Sequence, residues 1–141
     1  MSGDRFVVDA SVAIKWVVDE AGSEQAALLR QKPLFAPDLL LAECANILWK
    51  KARRGELSEA EAIFGARLLL RGGVQLEAMS NLLEPATRLA LSLDHPAYDC
   101  AYLALSQMLS CAMVTADERL YRKTLSSGFE PQPLRLANFN E

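Results

Sequence analysis

Apolar positions along the chain switch between two spacings, and the switches mark out the elements. Arg5-Phe-Val-Val8 is a short β-branched run that stops at Asp9, and Ser11 to Val17 then takes up helical spacing. Ala21 to Arg30 predicts a second, weaker helix, and Leu34-Phe-Ala36 a very short strand. Pro37 stands where a first helical turn accepts proline, and the helical pattern from Leu39 to Arg54 stops at Gly55. Ser58 and Glu61 have capping-box spacing and open a helix to about Arg71, which Gly72-Gly73 breaks. Val74 to Ala78 alternates like a strand, Asn81 to Leu93 is helical, and His95-Pro96 restarts the chain into a helix reaching about Leu109. Ala112 to Thr115 is the next strand, Glu118 to Leu125 a helix closed by Gly128, and Leu134 to Leu136 a last strand. Strands separated by one or two helices predict a parallel α/β sheet in three layers.

Composition narrows what such a sheet is for. The 141 residues fit one domain, residues 1–141, and 51% hydrophobic content supplies a core. A net charge of -3 and a pI of about 5.2 argue against a protein that coats nucleic acid, though not against an enzyme acting on it. Cys44, Cys100 and Cys111 are odd in number and lack a C-x-x-C pair, and His95 is the sole histidine, so neither a zinc site nor a disulfide framework is expected. They read as buried thiols of a cytoplasmic protein. No secretory signal and no run of ~20 apolar residues is visible, so no membrane association is expected.

Four acids occupy telling places. Asp9 follows the first strand directly, and Asp117 follows Thr115 by two residues; ligands of open parallel sheets bind at that carboxyl edge. Each also fits a helix cap. Glu43 has Leu39, Leu40 and Ile47 among its helical neighbours, with Asn46 the exception, so it projects from a largely core-facing stripe and needs a partner: an arginine or a metal ion. Asp99 faces inward with Tyr102 and Leu103, near a helix start where the dipole alone favours an acid. Together the four can converge in one pocket, where unneutralised charge would be self-repelling. Hard oxygen donors in that number suit magnesium or manganese. Ser11 and Thr115 add flanking hydroxyls.

Val7-Val-Asp-Ala-Ser-Val12, Glu43 with Asn46, Tyr98-Asp-Cys-Ala-Tyr-Leu-Ala-Leu105 and Val114-Thr-Ala-Asp117 jointly resemble the PIN domain, and within it the VapC-type toxins of prokaryotic toxin–antitoxin pairs. The resemblance runs from Phe6 to about Leu136. It implies a three-layer α/β/α fold, metal-dependent cleavage of RNA at Asp9, Glu43, Asp99 and Asp117, and a homodimer held in check by an antitoxin. The family's fifth polar position falls on Thr115, and its hydroxyl after the first acid on Ser11.

Rival readings fare worse. A receiver domain needs an acidic pair beside the first strand, where Phe6-Val-Val8 stands, and a dehalogenase-type phosphatase needs an acid at Ser11. A silent PIN-like binding module and a housekeeping nuclease without antitoxin stay open. No histidine is expected to serve as base. Trp16 and Trp49 read as core; Lys50, Lys51, Arg53 and Arg54 read as a solvated helix end; and Lys15, Arg53, Arg54, Arg119 and Arg122 are candidate RNA contacts.

Overall fold

The computed structural model describes residues 4–140. Five strands, β1 (Phe6–Val8), β2 (Leu34–Pro37), β3 (Gln75–Glu77), β4 (Met113–Thr115) and β5 (Leu134–Arg135), form one sheet in the order β3-β2-β1-β4-β5. Every pairing is parallel. The helices are α1 (Ala10–Ala13), α2 (Ser23–Leu29), α3 (Leu39–Arg53), α4 (Glu59–Leu70), α5 (Leu83–Leu93), α6 (Ala97–Leu109) and α7 (Glu118–Ser127). β1 is central because both its faces are apolar. Val7 packs with Leu40, Tyr102, Leu103 and Leu105, while Phe6 and Val8 pack on the opposite side with Ala26 and Leu29 of α2. These two cores are the expected three layers.

Local chemistry sets the boundaries. Ser58 accepts from the Glu61 amide and Glu61 from the Ser58 amide, so the capping box is present and α4 begins where expected. Gly128 ends α7 in the left-handed region, at φ 71°. Two expectations need correction. The helix from Ser11 to Val17 tightens into a 3-10 turn at Ile14–Trp16, so α1 is one turn long. Pro37 belongs to β2 rather than to a helix; it is the last strand residue, and the Asp38 amide makes the next bond, to Glu77 O.

Trp16 is half-buried and donates to Ala26 O at 2.8 Å, as a core tryptophan should. Trp49 is not core: it is 54% exposed on α3, with the Arg53 guanidinium 5.5 Å from its ring centre. α4 buries little beyond Gly65, and leaves Ile63, Phe64 and Leu70 in solvent. Among the described residues no helix is long and apolar enough to cross a membrane.

Candidate metal centre

The carboxyl ends of β1 and β4 lie side by side, since Val8 pairs with Val114. Asp9 and Asp117 therefore leave neighbouring strands at the same edge. Both are also helix caps: Asp9 accepts from the Val12 amide, and Asp117 from those of Arg119 and Leu120. The cap reading and the site reading are compatible at Asp117, whose cap uses Oδ1 alone; at Asp9 the cap uses Oδ1, and both oxygens accept hydrogen bonds. Glu43 arrives from α3, one residue off the buried stripe Leu40–Cys44–Leu48, and Asp99 from the first turn of α6. All four line a single cavity of about 460 Å³, together with Ser11 and Asn46. No lysine or arginine lines it.

Asp9 is the deepest, only 7% exposed. Ser11 Oγ donates to its Oδ1 at 2.6 Å and Thr115 Oγ1 to its Oδ2 at 2.5 Å. The Ala116 and Asp117 amides in turn donate to Ser11 and Thr115, so both hydroxyls point at Asp9. Burial still dominates. It pushes the Asp9 carboxyl up to about 6 despite those hydrogen bonds, with the Asp99 charge adding to the rise. Burial also raises Glu43, opposed by a hydrogen bond from Tyr102 and reinforced by Asp99.

Two residues of this site escaped the sequence reading. Tyr102 donates to Glu43 Oε1 at 2.5 Å, and burial and this bond together hold its phenol far above the usual range. His95, not expected to serve as a base, has Nε2 2.8 Å from Asp99 Oδ2 and is mostly buried. A carboxylate can only accept, so Nε2–H donates whenever Asp99 is ionised. The i, i+4 spacing of His95 and Asp99 was the available signal. Tyr102, 59 residues from Glu43, had no such signal beyond its inward position.

The donor set fits a hard divalent cation. Glu43 Oε2, Asp99 Oδ1 and Asp117 Oδ2 carry no hydrogen bond from described residues, and all donors are carboxylate oxygens. Among the described residues no three acids stand as a ready-made cluster closing on one point.

Residues 6–124 match the PIN domain family. The chain belongs to the PIN domain family. Ribonuclease VapC3 of Pyrobaculum aerophilum is 37% identical over 123 residues, covering 84% of this chain and 94% of that protein. VapC ribonuclease Mb0985 of Mycobacterium bovis is 33% identical over 115 residues, 82% of this chain and 87% of that one. In structure this PIN domain is similar to PAE2754 from Pyrobaculum aerophilum, with TM-score 0.69 and 24% identity over 94% of this chain and 84% of the other. It is also similar to VapC20 of Mycobacterium tuberculosis, a sarcin-ricin loop cleaving toxin, with TM-score 0.64 and 19% identity over 91% and 99%. Those two likenesses speak to the fold.

Proposed function

We propose that this PIN domain is a magnesium- or manganese-dependent endoribonuclease acting as the toxin of a toxin–antitoxin pair. The observation that carries the reading is four carboxylates on one cavity that no lysine or arginine lines. Glu20 is paired with two lysines, whereas none of these four acids pairs with a lysine or arginine among the described residues. The kinship to VapC ribonucleases supplies the substrate class.

Asp9, Asp99 and Asp117 would hold one ion, and Glu43 would either complete a second site or orient the attacking water. A divalent cation bound there supplies Lewis-acid polarisation of a phosphoryl oxygen and acidifies water. Ser11 and Thr115 fix the direction of Asp9, Tyr102 fixes Glu43, and His95 fixes Asp99. Asn46 lines the same cavity and offers an amide to a phosphate oxygen. Of the cations flanking the site, Lys15 is withdrawn, because its ammonium is tied to Glu20 at 2.8 Å. Arg119 and Arg122 remain exposed on α7, which Asp117 caps, and supply the attraction for a polyanion.

An antitoxin covers the cleft and inserts a cationic side chain among the four acids. Apolar surface supports a protein partner and a homodimer: Trp49, Phe64 and Leu70 are 54%, 59% and 72% exposed across α3 and α4. Three free, buried cysteines suit a reducing cytoplasm.

Purified chain incubated with varied RNAs, with and without magnesium or manganese, tests the reading when the RNA ends are mapped. Metal-dependent cuts support it, and undiminished cleavage in chelator sinks it. RNA that is bound but never cut would mark a silent binding module. Cutting without growth arrest on overexpression would mark a housekeeping nuclease.

A further inference from the structure

A second cavity, of about 330 Å³, opens near the β5 edge of the sheet. Lys32, Tyr121, Arg135 and Asn138 line it with Phe6 and Phe139, whose rings meet edge to face at 5.7 Å. Its size falls within the range of small-molecule pockets, roughly 300–1,000 Å³. Its lining differs from that of the metal centre: it has basic and amide groups over aromatic rings, and no carboxylate.

Two features make it a receptor for something flat and anionic. The Arg135 guanidinium lies 5.5 Å from the Tyr121 ring centre, and Glu118 grips it through Nε at 3.2 Å and an Nη at 3.0 Å. That fork holds the guanidinium beside the ring in a fixed place. Lys32 is half-buried and its ammonium makes no ion pair or hydrogen bond with described residues, so its charge is available to a ligand. Aromatic faces, an arginine plane, a free ammonium and a side-chain amide together are the chemistry that holds single-stranded RNA.

The cavity approaches the metal centre at its Arg135 end, while Phe6 and Lys32 lie at the amino edge of the sheet, opposite the carboxyl edge that carries Asp9 and Asp117. Arg135 pairs in register with Thr115, whose hydroxyl holds Asp9, and its partner Glu118 directly follows Asp117. Strands rise ~3.3 Å per residue, so Phe6 lies about 10 Å along β1 from Asp9, a span that a few nucleotides of single strand cover.

The geometry points to a nucleotide subsite, formed by Lys32, Tyr121, Arg135 and Asn138, for a base and phosphate of the RNA strand beyond the scissile bond. This rests on the ribonuclease reading above. The subsite adds affinity for strands long enough to reach it and takes no part in bond cleavage.

The test measures binding of single-stranded oligoribonucleotides of about three and roughly eight nucleotides by fluorescence anisotropy in magnesium. The Asp99→Asn variant serves as background, to suppress cutting. Lys32→Ala, Tyr121→Leu and Asn138→Ala are each added to it, with thermal melts to verify folding. The longer strand is expected to bind more tightly. Tyr121→Leu should remove roughly tenfold of that gain, and Lys32→Ala should flatten the salt slope by about 0.7. Binding of the shorter strand should not change. If no oligonucleotide binds at any length, both the subsite and the RNA reading fall. If the gain with length survives all three substitutions, or there is no gain, the subsite alone falls.

Discussion

Glu20 sits between Lys15 and Lys51, 2.8 and 3.0 Å from their ammonium nitrogens, whereas Asp9, Glu43, Asp99 and Asp117 share a cavity that no lysine or arginine lines. Both places take carboxylates partly out of water, and burial raises the pKa in each. At Glu20 the hydrogen bonds and charges of the two lysines outweigh burial, and the carboxyl ends below its ordinary value. At Asp9 only neutral donors answer, and burial wins. The same chain thus has lysines to hand and spends them on Glu20, which ties the segment before α2 to α3. The difference separates an acid that holds the fold together, Glu20, from one, Asp9, whose buried charge the fold answers only with neutral donors.

The largest effect comes from removing a waiting charge. Asp9→Asn and Asp99→Asn each keep the side chain's shape while losing a ligand, and should cut RNA cleavage about a thousandfold or more, ~4 kcal/mol of barrier. Circular dichroism should show both folded. Full activity in either would remove that acid from the centre.

Next comes the strain itself. Asp9 binds its proton more tightly folded, near 6, than unfolded, near 3.8. The folded state thus carries more protons between those values, and stability falls as pH rises from about 4 to about 6. The full loss is about 3 kcal/mol at most, at 1.36 kcal/mol per unit. Asp9→Asn still accepts the Val12 amide, so metal-free Asp9→Asn should be more stable than wild type above pH 6 and no better at pH 4. Urea melts at several pH values read this directly. A wild-type advantage at pH 7 without metal would mean that Asp9 is not strained.

The comparison can also be broken on purpose by giving the waiting acids a cation. Asn46 is exposed, one helical turn from Glu43, and lines the cavity. Asn46→Arg should neutralise Glu43, raise metal-free stability, and weaken manganese binding about tenfold, ~1.4 kcal/mol. Calorimetric titration with manganese measures it. Unchanged affinity would show that Glu43 stands apart from the ion.

How much of this was legible in the sequence follows from the range of each interaction. Strand and helix order could be read because the capping box, Gly55, Gly128 and the β-branched runs act within a few residues. That the four acids share one cavity was legible because each sits at a strand end or on an inward helix face. The Lys51–Glu20 pair spans 31 residues, so α3's basic end looked wholly solvated although Lys51 is only 16% exposed. Trp49 was misplaced because helical periodicity gives a face but not whether a neighbour covers it. His95 was local enough to find, and was missed because its ring was judged as a base for the substrate rather than as a support for Asp99.

The smallest effect belongs to the satisfied acid. Glu20→Gln keeps a hydrogen-bond acceptor for one lysine but removes the charge both lysines answer to. Its folded pKa is depressed, so it contributes stability above its ordinary value, near 4.5, and loses it as pH falls below that. Glu20 is partly solvated, at 28% exposure, and its screened pairs are worth about 1 kcal/mol or less. Lys51 keeps a second acceptor in Glu56 at 3.3 Å, which softens the loss further. Glu20→Gln should therefore lower stability slightly at pH 7, lower it less at pH 4, and leave RNA cleavage and manganese affinity unchanged. That pH trend is opposite in sign to the one Asp9 imposes, so urea melts of the two variants, run side by side, separate a structural acid from a functional one. If Glu20→Gln instead weakened metal binding as Asn46→Arg does, the Lys15–Glu20–Lys51 triad would be coupled through α3 to Glu43, and the two regions would be one electrostatic unit.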